Sequence, residues 1–385
     1  MARNPPKSTI LKEIVMKFSA QSSELQKILA NVGSVIPSKS TLPILENFLF
    51  EISKGKLTIT ATDLDTSMTV SLPVTNAQDG KIAVPARRLS ETVRSLPATD
   101  VDFSADSGSN KILLKTSSGE YRLTGEASDN YPSIPSFQGN KEFSIDNETL
   151  RRLITKTSFA VSSDELRPAM MGILFQIKKK EIRTVATDGH RLVRFINSTI
   201  GSGMEQDIII PAKALNVVAK AAVDAESKIS LNENHAMFTF GSTTLISRMI
   251  EEKYPNYESV IPLDNEKKLT VNKSQILDAV RRTSLYASST NHQVRFSVKK
   301  GSVTVSAEDI DFGSEARETM TCEYSSEPIE IGFNSAYVVD ILSHLDTDEV
   351  TFAFSSPTRA CTVQPAAQRN GESLLMLIMP VRLNS

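Results

Sequence analysis

Apolar residues recur along this chain with two alternating periods, and the alternation is repeated three times. Each repeat opens with the i, i+3, i+4 spacing of an amphipathic helix, first at Leu25, Ile28, Leu29 and Val32. A two-residue alternation typical of half-buried strands follows. The pattern therefore predicts a helix and then several short strands in each repeat. The equivalent helical positions of the later repeats are Leu150, Leu153 and Ile154, then Ile276 and Val280.

Within the second repeat, two alternating runs at 182–187 and 190–195 flank Asp188 and Gly189. Asp-Gly between such runs is a strong hairpin signal. A second, shorter helix is predicted at 85–89, 211–215 and 334–338, and it starts with a proline in the first two cases, where the missing N–H is tolerated. We therefore predict an α+β fold in which each repeat packs two helices on one face of a mainly antiparallel sheet.

One short motif marks the repeat and gives its period. Ala61-Thr-Asp-Leu-Asp65 returns as Ala186-Thr-Asp-Gly-His190 and as Ala307-Glu-Asp-Ile-Asp311. The spacing, about 123 residues, is the size of a common domain and not that of a solenoid repeat. The sequence thus predicts three tandem similar domains at 16–136, 137–263 and 264–385, preceded by an amino-terminal extension at 1–15.

Composition fits a chain with several cores. The 385 residues are 40% hydrophobic and 23% charged, typical of globular proteins. No apolar run approaches the roughly 18 residues of a membrane span, and no signal peptide is recognisable, so we expect a cytoplasmic protein without a membrane partner. Cys322 and Cys361 lack the spacing of a metal or redox motif, and two buried thiols are the expected state.

Charge is distributed unevenly although the formal net charge is only −2. Most predicted helices carry an excess of Lys and Arg, so the rest of the chain is acidic. On a helical wheel, Arg87 and Arg94 lie opposite Leu89, and the pairs Lys213 with Lys220 and Arg152 with Lys156 are placed in the same way. A repeated basic face fits a phosphate backbone, while an ordinary solvated helix face explains the same pattern.

The sequence gives little support for an enzyme active site. His190 lies beside Asp188 and Thr187, a set that suits acid–base work, but the other repeats have no histidine there. No HExxH, paired CxxC or glycine-rich phosphate loop occurs. We therefore predict no catalytic residues, no metal site and no cofactor. An alternative class, a sheet-rich adhesion or ligand-binding protein without DNA, fits the repeat but predicts no basic helical layer.

Five longer motifs carry a resemblance to a known family. The chain resembles the bacterial DNA polymerase III beta subunit, the replicative sliding clamp, over nearly its whole length from Met16. That resemblance implies the DNA clamp fold, with two chains joined head to tail in a dimeric ring that has helices around the hole. The motifs are Thr41-Leu-Pro-Ile-Leu45, Met171-Gly-Ile-Leu-Phe175, Thr184-Val-Ala-Thr-Asp-Gly-His-Arg-Leu192, Tyr254-Pro-Asn-Tyr257 and Met379-Pro-Val-Arg-Leu383.

The same resemblance implies a non-catalytic processivity factor that slides on DNA. Its expected partners are duplex DNA of any sequence, a second copy of the chain in a homodimer, the DNA polymerase III alpha subunit, the clamp loader, and other DNA polymerases and repair proteins. A ring needs only weak, exchangeable phosphate contacts because topology prevents escape. Pro168 and Ala169 stand where some relatives carry tyrosines, so an aromatic DNA contact is not expected there.

Three sets of site residues follow. Charge and resemblance together predict a DNA-facing set: Lys39, Arg87, Arg94, Arg152, Lys156, Lys213, Lys220, Arg281 and Arg282. Resemblance implies a groove for partner peptides, although a final strand simply packing on a sheet would also explain its carboxyl-terminal part: Met170, Thr187, Gly189, His190, Arg191, Leu192, Pro255, Val260, Asn334, Tyr337, Leu377, Met379, Pro380, Val381 and Arg382. Resemblance also implies a dimer interface: Tyr121 and Leu123 against Leu285 and Tyr286 of the other chain.

Overall fold

The computed structural model describes residues 15–139, 141–223 and 225–383, so the predicted 1–15 extension lies almost wholly outside them. The chain forms two compact units. Unit 1 comprises Met1–Asn140 with Ser227–Arg248, and unit 2 comprises Lys141–Glu226 with Met249–Ser385. The units cut across the three predicted repeats because strands of neighbouring repeats pair with one another inside each unit.

Two helices belong to each repeat, as the periodicity predicts. Asp146, Asn272 and Asn334 each cap a helix by accepting a hydrogen bond from a backbone N–H in its first turn, while prolines precede α2 and α4. The helices are α1 Ser22–Val32, α2 Ala86–Ser95, α3 Asn147–Thr155, α4 Ala212–Ala221, α5 Lys273–Thr283 and α6 Ser335–Ser343.

The strands of the first two repeats include the predicted hairpin. They are β1 Val15–Gln21, β2 Asn47–Ser53, β3 Lys56–Thr62, β4 Thr66–Pro73, β5 Thr75–Gln78, β6 Gly80–Pro85, β7 Asp100–Asp106, β8 Lys111–Lys115, β9 Glu120–Thr124, β10 Lys141–Asp146, β11 Gly172–Lys178, β12 Glu181–Thr187, β13 Arg191–Asn197, β14 Gln206–Pro211, β15 Glu226–Leu231, β16 His235–Phe240 and β17 Thr243–Arg248.

The third repeat follows the same order. Its strands are β18 Lys267–Asn272, β19 Gln293–Lys299, β20 Ser302–Asp309, β21 Ser314–Thr321, β22 Ile329–Asn334, β23 Glu349–Phe354, β24 Cys361–Pro365 and β25 Glu372–Ile378. Neighbouring strands pair in antiparallel fashion, and β13 with β25 is one such pair. The predicted α+β class with mainly antiparallel sheets is thereby confirmed.

Unit 1 contains two sheets. The smaller has the order β5-β1-β7-β8-β9, and the larger runs β15-β16-β17-β4-β3-β2-β6 within this unit. Helix α1 packs beside α2, and α2 buries Ala86, Leu89 and Val93. The rings of Phe18 and Phe103 stack in the core with centroids 4.8 Å apart. Strand β9 is an edge of the smaller sheet, which leaves its outer side without a strand partner among the described residues.

Unit 2 also contains two sheets and holds the predicted groove residues. The larger has the order β14-β11-β12-β13-β25-β24-β23-β18, and the smaller has the order β21-β20-β19-β22. Helix α3 packs beside α4, and α5 beside α6. Cys361 is buried and Cys322 half-buried, both as free thiols. Within the described ranges, no helix is long and apolar enough to cross a membrane.

Candidate functional site

The turn between β12 and β13 carries the first group of predicted groove residues. The Thr187 hydroxyl donates to the carbonyl of Arg191 (2.7 Å) and accepts from the N–H of Gly189 (3.1 Å). Asp188 Oδ1 accepts from the N–H groups of His190 and Arg191, both at 2.9 Å. Gly189 has a φ of 91°, which glycine adopts without a Cβ clash. The turn is thus held by its own side chains and presents Gly189 and His190 to solvent.

Strand β25 places the carboxyl-terminal groove residues beside this turn. Leu192 pairs with Leu377 across the sheet. The N–H of Met379 then donates to the carbonyl of His190 at 2.8 Å. Met379 is one of the exposed large apolar residues. An adaptable apolar side chain therefore stands next to the turn, held there by main-chain hydrogen bonds.

The segment after Met379 is fixed in a second place. The N–H of Val381 donates to the carbonyl of Gly332 at 2.9 Å. A Cβ at Gly332 would lie 2.8 Å from the carbonyl oxygen of Val381, so only glycine permits this approach. Pro380 and Val381 are half-buried while Arg382 is exposed.

A buried apolar cluster lies around Leu192 and Leu377. The phenol of Tyr254 donates to the carbonyl of Val185 (3.4 Å), and that of Tyr257 donates to Gln176 (2.6 Å). Burial raises the pKa of both phenols. The exposed groove residues Pro255 and Val260 therefore lie on a segment that these tyrosines anchor. The cluster consists of Ala169, Leu174, Val185, Leu192, Ile209, Tyr254, Tyr257 and Leu377.

Aromatic and thioether groups surround the turn. The rings of His190 and Tyr337 are nearly parallel, with centroids 6.0 Å apart. Burial raises the pKa of the Tyr337 phenol. A Cβ at Gly189 would lie 4.0 Å from Met170 Cε and 3.0 Å from Arg167 Nη1. The structure thus brings Met170, Tyr337 and the turn together, and adds Arg167.

Two predicted groove residues, Asn334 and Arg191, make hydrogen bonds within this chain. Asn334 caps α6 by accepting from the N–H of Ala336 at 2.9 Å. Asp188 Oδ2 accepts from Arg191 Nε at 3.1 Å, so both carboxylate oxygens of Asp188 hold the turn. Asp188 does not bond to the ring of His190, which removes the main geometric support for acid–base chemistry at this place.

Most of the predicted DNA-facing residues are exposed, and the exposed members Arg87, Arg281 and Arg282 have acidic neighbours. Arg87, 91% exposed, pairs with Glu91 in the next helical turn. Arg282 pairs with Glu318 through two hydrogen bonds of 2.7 Å, and Arg281 pairs with Asp278. A pocket of about 1120 Å³ lies beside Arg87 between α1 and α2. The exposed members of the set are Lys39, Arg87, Arg94, Lys213, Lys220, Arg281 and Arg282.

Arg152 and Lys156 are placed differently from the helical-wheel prediction. The side chain of Arg152 is 16% exposed and that of Lys156 only 8%. Arg152 donates to both oxygens of Glu372 at 2.7 and 2.6 Å and to Asp346 at 2.7 Å. Lys156 donates to Asp346 and to the carbonyl of His344, both at 2.6 Å. The wheel treated the two cations as solvent-facing, whereas these acceptors hold them inside unit 2.

The ionisation of this cluster follows from its contacts. Burial alone would raise the pKa of Asp346, but the hydrogen bonds from Lys156 and Arg152 outweigh burial and hold that pKa at about 2. The hydrogen bond to Glu372 raises the pKa of Arg152. Burial lowers the pKa of Lys156, and its contact with Asp346 opposes the change. Both cations are therefore committed to partners in their own chain.

The four predicted interface residues differ in accessibility. Leu285 is 81% exposed, and Tyr286 next to it is also exposed. Tyr121 is half-buried on β9, while Leu123 on the same strand is buried in unit 1. The 3₁₀ turn that carries Leu285 packs against β20 and β21, and β21 is an edge of its sheet.

Sequence reasoning missed several residues that shape the site. Arg167 lies beside Gly189, and its position directly before Pro168, in a loop entering a predicted groove, was an available signal. Phe159 and Asp340 both bond to Arg191, and no local pattern identifies them. In the part of the chain that the structure describes, no group of three or more His, Cys, Asp or Glu could hold a metal ion.

Comparisons with known proteins agree with this architecture. The chain matches the DNA polymerase III beta subunit family in three consecutive domains: the N-terminal domain at 16–135, the central domain at 144–256 and the C-terminal domain at 258–382. The beta sliding clamp of Pseudomonas aeruginosa is 31% identical over 372 residues, which cover 96% of this chain and 100% of that protein.

Solved structures give the same result. A DnaN sliding clamp from Bartonella birtlesii bound to griselimycin has a TM-score of 0.90 and 31% identity, and it covers 96% of this chain and 100% of its own. The corresponding complex from Pseudomonas aeruginosa has a TM-score of 0.89 and 30% identity with the same coverage. The chain therefore belongs to the DNA polymerase III beta subunit family, the bacterial beta sliding clamps.

Proposed function

We propose that this chain is a processivity factor, which encircles duplex DNA as a ring and tethers the replicative polymerase through the groove in unit 2. The observation that carries the proposal is the turn at Thr187–Arg191, where solvent-exposed Gly189, His190 and Met379 lie beside the half-buried ring of Tyr337. Family membership over the whole described chain supports it. Such a factor acts on chromosomal DNA in the cytoplasm and performs no catalysis of its own.

The DNA contact is the first part of this function. Arg152 and Lys156 are left out of the DNA-facing set because Asp346 and Glu372 hold them. The residues proposed to contact DNA are Lys39, Arg87, Arg94, Lys213, Lys220, Arg281 and Arg282. Long exposed cations make weak, interchangeable phosphate contacts. Sliding follows, since no single contact must be broken at high cost and the closed ring prevents dissociation.

A topological test separates this function from ordinary DNA binding. The protein is loaded on nicked circular DNA, and the DNA is then linearised at physiological salt. We expect release on linearisation, because the free ends let the ring slide off. Equal retention on circular and linear DNA contradicts encirclement.

A charge test follows. Arg94→Ala combined with Lys220→Ala should weaken equilibrium binding to short linear duplex DNA, which topology does not retain, and removal of each phosphate-binding cation should reduce the log–log salt slope of that binding by about 0.9. The matched control removes two exposed strand lysines, Lys56→Ala with Lys299→Ala. An equal effect of both double variants contradicts the assignment.

Peptide capture is the second part. A short peptide with aliphatic and aromatic anchors would bury them against Met379 and the apolar cluster around Leu192, while polar groups at the turn set its register. The proposed owners of such peptides are the DNA polymerase III alpha subunit, the clamp loader, and other DNA polymerases and repair proteins. Several partners can share one site because methionine walls repack.

The groove is tested with a labelled pentapeptide rich in Gln and Leu. Met379→Ala should weaken binding about tenfold, since it removes an exposed apolar side chain from the groove wall. Met204→Ala, at a half-buried methionine outside the groove, serves as the control. Unchanged affinity in the Met379 variant refutes the groove assignment.

Ring closure is the third part. We propose a head-to-tail homodimer in which Leu285 and Tyr286 beside edge strand β21 meet the partner's β9 with Tyr121. Different patches on the two ends make the contact heterologous, and two copies close a ring only at the right rotation. Leu123 belongs to the core of unit 1, so its share in the contact is small.

Native mass spectrometry tests the dimer. Leu285→Ser with Tyr286→Ser should convert dimers to monomers at low micromolar concentration, because the substitutions remove the apolar side chains that the interface buries. Leu263→Ser, which changes an almost fully exposed leucine elsewhere in unit 2, is the control. A dimer that survives the double substitution unchanged contradicts this interface.

A further inference from the structure

Arg191 belongs to the groove by resemblance, yet its side chain is only 10% exposed. Its Nε donates to Asp188 at 3.1 Å, its Nη2 donates to the carbonyl of Phe159 at 2.7 Å, and its Nη1 donates to Asp340. Every nitrogen of the guanidinium group therefore already has an acceptor in this chain. The two remaining N–H groups, one on each Nη, belong to a side chain that is only 10% exposed, so the group offers a bound peptide little access.

The guanidinium group also lies close to two aromatic rings. Its carbon is 4.7 Å from the ring centroid of Tyr337 and 5.5 Å from that of Phe159. Cations at such distances are attracted to the ring faces. The ring of Tyr337 is therefore in contact with Arg191 and is also stacked near His190 of the turn.

Three segments distant in sequence meet at this one side chain. They are the turn with Asp188, the 3₁₀ turn Ser158–Ala160 with Phe159, and helix α6 with Tyr337 and Asp340. Arginine suits such a junction because its planar fork serves several acceptors at fixed angles and stacks on aromatic faces at the same time. Lysine provides neither property.

The junction is supported from behind. The ring of Phe159 stacks on His344 with centroids 3.9 Å apart and an interplanar angle of 13°. His344 Nδ1 lies 2.7 Å from the carbonyl of Asp340, and the carbonyl of His344 accepts from Lys156. Phe159, which accepts the hydrogen bond of Arg191, is thus itself held in place by packing on His344.

We propose that Arg191 is a positioning residue of the groove, which fixes the ring of Tyr337 and the Asp188–His190 turn for a peptide that Arg191 itself does not contact. The proposal rests on the proposed function of the groove as a peptide site. Peptide affinity then depends on Arg191 through pre-organisation. Because Tyr337 and the turn are already fixed, no conformational entropy has to be lost to order them when the peptide binds.

The test uses the full chain and a labelled pentapeptide rich in Gln and Leu, in two forms that end in a free carboxylate or in an amide. The variants are Arg191→Lys, which keeps the charge but not the fork, and Asp340→Asn, which keeps the shape of the partner but removes its charge. Arg359→Ala is the control, because Arg359 pairs with Asp264 on the surface of the same unit. Fluorescence anisotropy gives the affinities.

We expect Arg191→Lys to weaken both peptide forms by the same factor, about tenfold. Asp340→Asn should weaken both forms equally by a smaller factor, although Asp340 is outside the predicted groove set. The proton resonances of the His190 ring should shift in both variants, because Tyr337 moves relative to that ring. They are readily assigned in a chain with four histidines. Arg359→Ala should change neither affinity nor resonance.

A direct contact between Arg191 and the peptide predicts a different result. Arg191→Lys would then weaken the carboxylate form more than the amide form, and Asp340→Asn would leave affinity unchanged or increase it by freeing the guanidinium group. Either outcome overturns the proposal. If Arg191→Lys does not fold, Asp340→Asn decides alone, since equal weakening supports positioning and no weakening contradicts it. Failure of the native protein to bind either form contradicts the proposed function instead.

Discussion

Two hairpin turns of this molecule share one frame and differ in what they present. In unit 1, the Thr62 hydroxyl donates to the carbonyl of Thr66 at 3.1 Å and accepts from the N–H of Leu64 at 3.0 Å. Asp63 accepts from the N–H of Thr66 at 2.7 Å. The same bonds hold the Thr187–Arg191 turn of unit 2. The paired Thr-Asp therefore specifies the turn in both places.

The residues that follow the Thr-Asp pair differ. Leu64 takes the left-handed conformation with a φ of 82°, where Gly189 has 91°. The next backbone carbonyl accepts from Arg248 N–H in unit 1 and from Met379 N–H in unit 2, both at 2.8 Å. At the left-handed position, one turn thus carries a leucine, and the other carries a solvent-exposed glycine. The two turns therefore have the same hydrogen-bonded frame, and they differ in the side chains that this frame presents.

The largest expected effect comes from giving the second turn the residue of the first. Gly189→Leu should reduce pentapeptide affinity about 100-fold, because the new side chain occupies the space beside Met170 and Arg167. The left-handed backbone should also lower the free energy of unfolding by about 1–2 kcal/mol. Anisotropy and urea unfolding measure the two quantities.

The reciprocal change is the control for this comparison. Leu64→Gly should leave peptide affinity unchanged and should not destabilise the protein, because it relieves the left-handed leucine. If Gly189→Leu binds peptide normally, the open glycine is not part of the groove.

The second-largest expected effect is a loss of stability at low pH near the turn of unit 2 but not near the turn of unit 1. The pKa of Asp346 is depressed from 3.8 to about 2, so its contribution is present above pH 4 and is lost as pH falls toward 2. After allowance for solvent screening at a carboxylate one-third exposed, the loss is about 1–2 kcal/mol. Asp346 holds Lys156, Lys156 holds the carbonyl of His344, and the ring of His344 stacks on Phe159, which accepts from Arg191. At low pH, hydrogen exchange should therefore show reduced protection of the backbone amide of Arg191 and not of that of Thr66. Asp346→Asn should flatten this pH dependence, and an unchanged profile would contradict the assignment.

A smaller, symmetric effect tests the shared frame. Thr62→Val and Thr187→Val should each lower the free energy of unfolding by about 1 kcal/mol, because each removes a hydroxyl that donates to one backbone group and accepts from another. Thr62→Val should cost somewhat more, since the Thr62 hydroxyl is also hydrogen-bonded to the hydroxyl of Ser67 at 2.8 Å. Chemical denaturation of the two variants gives the values. A large difference between them would mean that the frames are not equivalent.

The smallest effect concerns the residue after the glycine. His190→Asp introduces the residue of the first turn, Asp65, and removes the stack with Tyr337. We expect a three- to fivefold loss of peptide affinity, about 0.7–1 kcal/mol, and little change in stability at an exposed position. Asp65→His should have no effect on binding. A loss as large as that of Gly189→Leu would assign His190 a direct polar contact.

Much of the fold was predictable because local patterns specify it. The Asp188-Gly189 signal and the apolar alternation around it predict β12 and β13, and the structure confirms both strands. The helix with Leu25, Leu29 and Val32 buried is likewise confirmed. The helical spacing and the strand alternation recur in all three repeats, which made their prediction more secure than a single copy would have.

The errors came from partners distant in sequence. A helical wheel for α3 contains no information about Asp346 or Glu372, which lie about 190 and 220 residues away and hold Lys156 and Arg152. Arg191 was identified through resemblance, but its hydrogen bonds to Phe159 and Asp340 depend on tertiary packing alone. Sequence reasoning can name charged residues, whereas the acceptors that decide their availability appear only in the fold.

The pairing of β13 with β25 sets an order of events during protein synthesis. Strand β13 leaves the ribosome about 180 residues before β25, which at translation speeds corresponds to roughly 10–40 s. For that interval, Leu192, Val193 and Phe195 lie on an unpaired strand edge that can associate with other nascent chains. Lower growth temperatures or chaperone supply during expression should therefore improve the yield of this chain more than changes to its surface would.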